Sequence, residues 1–389
     1  MRLISKLFLS TAALACMLPG GFGQPAKAAK AAKGEYIAYV GTYTRPNKSK
    51  GIYAWRFQPA SGKLTAIGLV GETASPSYLA VHPNHKFLYA ANEISRFEGK
   101  RAGSVSAFAI DAGTGQLKLL NTVSSGGDGP CFLGVDPSGK WLIVANYGGG
   151  SIAEYPVHDD GSLGASSAFV QHSGSSVNRQ RQAAPHAHET VFSPDGKSVF
   201  VPDIGLDEIF SYKVAGLTPN DPPFTKITPG TGPRHLAFAP NGRFAYLMTE
   251  LSVSVVAFRY ANGRLEELQT LPTAKVAADN NGFEISGAEI AVHPSGKFVY
   301  SSNRGPDNLD VFAVDAAKGT LTPVQTIPSG GKMPRMFAID PTGAYLFAAN
   351  QNSDNVVVFR IDAATGKLTP TGDILEASAP VCVTFVPAQ

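Results

Sequence analysis

The chain has 389 residues, 43% of them hydrophobic, 16% charged and 10% aromatic, with 41 glycines, 28 prolines and a formal net charge of +3. That apolar content excludes a disordered chain, and the glycine and proline content is high for a helical protein yet below the low-complexity range. So small a net charge gives no support for nucleic-acid binding.

In chain order, Met1 to Lys6 is a short basic segment, residues 7–18 are apolar, and small residues follow Pro19 as far as Ala28. This is the layout of a secretory signal peptide, too short for a resident membrane span. Cleavage after Ala28 removes Arg2, Lys6 and Lys27 but no acid, so the formal charge of +3 falls to zero. A lipobox ending at Cys16 fits poorly at Leu14. The mature protein is therefore expected in the periplasm or secreted, not transmembrane, with residues 29–35 as a linker to a domain over 36–389. Its two cysteines, Cys131 and Cys382, make neither a disulfide framework nor a zinc site unaided and read as buried apolar thiols.

Beyond the linker one unit recurs. An apolar run leads to a proline-centred tight turn, then to an aromatic or aliphatic run, a polar stretch and a further alternating run. Its prolines are Pro83, Pro137, Pro194, Pro240, Pro294 and Pro341, spaced 46 to 57 residues apart. PSGK, PDGK, PNGR and PTGA are tight-turn sequences in which proline sets φ and glycine takes the strained position. Alternation over 298–301 and 356–359 marks flanking strands, and no segment sustains a helical period. Each unit has the length of four short strands, one propeller blade.

Six units lie between Pro76 and about Thr371, and the two chain ends supply a seventh. Residues 36–42, 51–57 and 64–67 read as its second to fourth strands, and 380–387 as its first. Pairing the termini removes exposed edges. The expected fold is all-β: a seven-bladed β-propeller with one blade closed by N- and C-terminal strands.

Antiparallel pairing puts the start of each first strand beside the end of each second strand, on one rim. First-strand starts are Ser77, Cys131, His188, Arg234, Ala288, Arg335 and Val381. Second-strand ends are Glu93, Tyr147, Ile204, Glu250, Arg304 and Gln351. Charges thus fall in consecutive blades, with His186 and Glu289 close by, and converge at one mouth of the central channel. Guanidinium forks there suit an oxyanion, and a histidine moves protons near neutral pH. The recurrent Asn92, Asn146, Asn303 and Asn350, and His82 and His293 beside the repeat prolines, read as structural. The polar stretch 171–184, with Arg179 and Arg181, is placed to overhang the mouth but reads first as a solvated loop. Elbow, phosphate-loop and zinc-binding motifs are absent.

The segments YVGTYT (39–44), PHAH (185–188), FSPDG (192–196), GPRHL (232–236), AEI (288–290), SNRG (302–305) and Pro334-Arg335 resemble the seven-bladed propeller lactonases. That family includes 6-phosphogluconolactonases and a carboxymuconate lactonizing enzyme. The likeness runs from Glu35 to Pro387. It implies a metal-free, cofactor-free site that opens or closes a lactone, with His186 matching the proposed catalytic histidine, Glu250 its acidic partner, and Arg234 and Arg304 the anion-binding arginines. The expected catalytic set is His186, Glu250 and Arg304, with Glu250 orienting His186. Arg234, His188, Glu289 and Arg335 are the expected substrate-binding residues. An export signal does not suit cytosolic sugar-phosphate metabolism, so the expected activity is hydrolysis of a sugar or carboxylate lactone by a monomer outside the cytoplasm. Non-enzymatic binding in the cell envelope and lactonizing isomerisation are the rival expectations.

Overall fold

The computed structural model describes residues 34–46, 48–274 and 284–388. The leader expected over 1–28, and most of the linker, lie outside the described residues. Those described form seven four-stranded antiparallel sheets and no helix; six run in sequential order from the central channel outward, and the seventh starts with the last strand of the chain.

The terminal clasp forms as the sequence predicts. Pro380–Pro387 is the innermost strand of its sheet, followed by Tyr36–Thr42, Gly51–Gln58 and Lys63–Glu72. The two termini pair from Tyr36 opposite Pro387 to Thr42 opposite Pro380. Between sheets lie apolar layers such as Phe57, Tyr345 and Phe347, packed edge to face.

Turn chemistry explains the even spacing of the sheets. In the repeat turns Gly139, Gly196, Gly242, Gly296 and Gly343 take φ values of 66 to 75°, and His85 stands at the same place in the first repeat with φ 61°. His82 Nε2 meets the carbonyl of Gly139 at 2.9 Å, and His293 Nε2 that of Gly343 at 2.8 Å. A Cβ on either glycine would lie within 2.8 Å of the imidazole, so each histidine locks its turn to the next blade. Asn146 and Asn350 donate to the carbonyls of Ser125 and Ser329. These histidines and asparagines are structural, as expected. Cys131 and Cys382 are both free and buried.

One irregularity positions everything that follows. The first strand of each sheet slips register by one residue just after its entry: between Pro76 and Tyr78, Pro130 and Phe132, Pro233 and His235, Pro334 and Met336. The same slip lies between Gly287 and Ile290, and opposite Gly41 and Thr42 in the clasp. Between the bridge Ala187–Asp203 and the short strand Val191–Phe192 it recurs as well. A β-bulge bends the strand and re-aims its side chains. Here the bulged residue and its successor both face the channel, as Ser77 with Tyr78, Arg234 with His235 and Arg335 with Met336 do in lining one internal cavity.

Candidate active site

At one mouth of the channel is a cavity of about 210 Å³ lined by Glu93, Tyr147, Arg181, His188, Glu250, Ser286, Arg304, Met333 and Arg335. His188 and Arg335 are bulge residues, whereas Glu93, Tyr147 and Glu250 directly follow their second strands and Arg304 ends one. The rim register read from the sequence therefore brings these six together.

Glu250 is the electrostatic centre. Arg181 donates to its Oε1, Arg234 Nε to Oε2 at 3.1 Å, and Arg304 Nη2 to Oε2 at 2.9 Å. Burial is the largest single influence and opposes ionisation of Glu250, but Arg304, Arg181 and Arg234 together outweigh it and hold the carboxyl well below its usual range. Burial pushes the Arg304 guanidinium down to about 10, still protonated at neutral pH. Across the cavity Arg335 lies 3.6 Å from Glu93 and over the ring of Tyr43, whose hydroxyl donates to Glu93 at 2.7 Å.

The other expected site residues are placed differently. Arg234 lies beneath the floor, 1% exposed, with its guanidinium bonded to Glu250 and the Ala288 carbonyl, and it lines the smaller inner cavity, not this one. Glu289 is also below the floor, hydrogen-bonded to His235 at 2.9 Å, because it follows the bulged Ala288 and sits one layer deeper. His186 does not orient on Glu250, whose two oxygens are taken by guanidiniums. Its Nδ1 bonds the Tyr147 carbonyl at 2.9 Å and its ring stacks on Tyr147, behind the cavity wall. His188, 4% exposed, lines the cavity instead. Burial first, then Arg234, His235, Arg335 and Arg304, push its imidazolium far below the ordinary histidine range, so it is a neutral base at physiological pH.

The stretch 171–184 is not a solvated loop. His172 is wedged between Asp203 and Tyr212 at 2.7 and 3.0 Å. Gln182 donates to Asp207 and to the Ile204 carbonyl, both at 2.8 Å, and Asp207 further accepts from Gly230 and Gly232. Tied down in this way, the segment presents Arg181 to Glu250 and to the Tyr147 hydroxyl, while Arg179 stays exposed. Arg181 was left out of the expected site because nothing in its neighbourhood is periodic. The available signal was length, since connections beyond about 12–15 residues without structure of their own are uncommon and usually functional.

A stabilised negative charge ringed by arginines, with further guanidinium donors and a neutral imidazole facing one small cavity, suits acyl chemistry through an oxyanion. Residues 37–385 match the family model "Lactonase, 7-bladed beta-propeller". The chain is 35% identical over 303 residues to 6-phosphogluconolactonase of Bacillus subtilis, covering 78% of this chain and 84% of that protein. A 6-phosphogluconolactonase of Formosa agariphila is 35% identical over 312 residues, covering 77% and 85%. The crystal structure of a periplasmic gluconolactonase of Pseudomonas aeruginosa superposes with a TM-score of 0.84 at 36% identity, covering 91% of this chain and all of the other.

Proposed function

We propose the chemistry of this site from one premise: the chain belongs to the seven-bladed β-propeller lactonase family and is a lactone hydrolase. Water attacks the ester carbonyl carbon, the ring C–O bond breaks, and a hydroxy acid leaves. His188 takes the proton of the attacking water and returns it to the departing ring oxygen. Arg304, whose Nε has no hydrogen-bond partner among the described residues, and Arg335 stabilise the oxyanion. Glu250 moves no proton; it stays ionised and fixes the arginines.

The substrate is an unphosphorylated sugar or carboxylate lactone of one ring, met outside the cytoplasm. A cavity of about 210 Å³ holds one such ring, and the leader-like N-terminus and the likeness to a periplasmic gluconolactonase support the location. The observation that carries the mechanism is His188, neutral and buried, sharing one cavity with Arg304 and Arg335. A pH-stat assay of the mature protein against a lactone panel tests it. Hydrolysis of a sugar lactone is expected, with His188→Gln losing roughly a hundredfold or more in kcat and His186→Ala much less. The reverse order returns the acid–base role to His186, and inertness toward every lactone leaves a ligand-binding propeller.

A further inference from the structure

Beneath the floor, four buried side-chain atoms have no hydrogen-bond partner among the described residues: Ser77 Oγ, His188 Nδ1, His235 Nε2 and Glu289 Oε2. Buried polar atoms are nearly always satisfied, so a cluster of such atoms points to a bridging group. Ser77, His188 and His235 line a second cavity of about 10 Å³, and the fourth atom belongs to the carboxylate bonded to His235. That space accommodates about one water, and a water needs two to four polar partners.

The register explains the gathering. His188, Arg234 and Ala288 are the bulge residues of three consecutive blades, and their successors Glu189, His235 and Glu289 form the next layer down. The His188 and His235 rings lie 5.0 Å apart between centroids. His235 Nδ1 sits 2.9 Å from Glu289 Oε1, which also accepts from the Ile290 amide. With Nδ1–H donating to Glu289 Oε1, His235 presents Nε2 as an acceptor toward the small cavity.

We propose that Glu289 and His235 are positioning residues that, through a water in this cavity, hold the His188 proton on Nδ1 and leave Nε2 bare for the reacting water. The hydrogen bonds run from His188 Nδ1–H to the water, from the water to His235 Nε2, and from His235 Nδ1–H to Glu289. A base is effective only as the right tautomer, and the partner of its other nitrogen sets that tautomer. The inference rests on His188 as the acid–base group, yet its main readout requires no turnover.

The groups acting on His188 from neighbouring strands are Arg234, His235, Arg335 and Arg304, with the Tyr147 ring edge-on at 5.7 Å, and burial pushes the carboxyl of the nearby Glu189 well above its usual range. All of them persist in Glu289→Gln, so the variant removes one negative charge and puts an amide donor in place of one carboxylate oxygen. ¹⁵N NMR of the histidine rings in the wild-type protein is expected to show His188 protonated at Nδ1. In Glu289→Gln the Nε2–H tautomer should appear, kcat should fall at least about tenfold, and the acid limb of kcat/KM should move to lower pH. A wild-type His188 protonated at Nε2, or a Glu289→Gln protein with unchanged tautomer and unchanged acid limb, overturns the relay. Because the wild-type spectrum is decisive alone, misfolding of the variant leaves the test intact, and failure of the lactone panel is read separately.

Discussion

A carboxylate among three guanidiniums is stable only as a complete set. Glu250, 4% exposed, neutralises part of the charge of Arg181, Arg234 and Arg304, and each of these would be costly to bury unpaired. Glu250→Gln should therefore destabilise the fold by about 3–5 kcal/mol, the usual cost of removing one partner of a buried pair. Thermal unfolding measures this. The pH dependence has a definite sign. The folded carboxyl is held below its ordinary value of 4.5, so its contribution is complete above that pH and is lost as pH falls through the folded value. The gap between wild type and Glu250→Gln should therefore narrow below about pH 4.5. A gap that stays constant into acid would show that the loss has another origin.

At the scale of elements, the bulge and the docked loop divide the work. Each first strand delivers two successive side chains to the channel, which gives the site its two layers: His188 and Arg234 above, Glu189, His235 and Glu289 below. The loop after the strand Ala168–Gln171 adds the third guanidinium from outside the repeat pattern. Gln182, fully buried, clips it to Asp207 and Ile204. Gln182→Ala should release it, with faster limited proteolysis within 172–184 and a severalfold rise in KM, since each buried hydrogen bond lost is worth about 1–3 kcal/mol. An unchanged cleavage pattern would mean that His172 and Asp203 suffice to hold the loop.

For the whole molecule, stability depends on ring closure. The strand Pro380–Pro387 lies innermost and buries Val381, Val383 and Val386 completely or nearly so. At about 1.5–3 kcal/mol for each such side chain, their loss is comparable with the 5–15 kcal/mol that stabilises a typical domain. Deleting 380–389 should abolish cooperative unfolding in calorimetry, and a truncated protein that melts at the wild-type temperature would show that the clasp is dispensable. The same closure keeps the strand Tyr36–Thr42 from presenting a free edge.

The strands, their turns, the blade count and the terminal clasp were all legible in the sequence, because each follows from local periodicity and from proline and glycine at turns. Repetition carried the reading further, to the rim that holds Glu93, Tyr147, Glu250, Arg304 and Arg335. Three matters were settled only in three dimensions. Which of His186 and His188 faces the cavity depends on a bulge, and a one-residue slip reverses the pleat without a trace in composition. Whether an arginine is free or spent, as Arg234 is, depends on how many neighbouring blades direct a carbonyl or carboxylate at it. That Arg181 belongs to the site depends on contacts with Asp203 and Asp207, which a loop acquires only by docking against another blade.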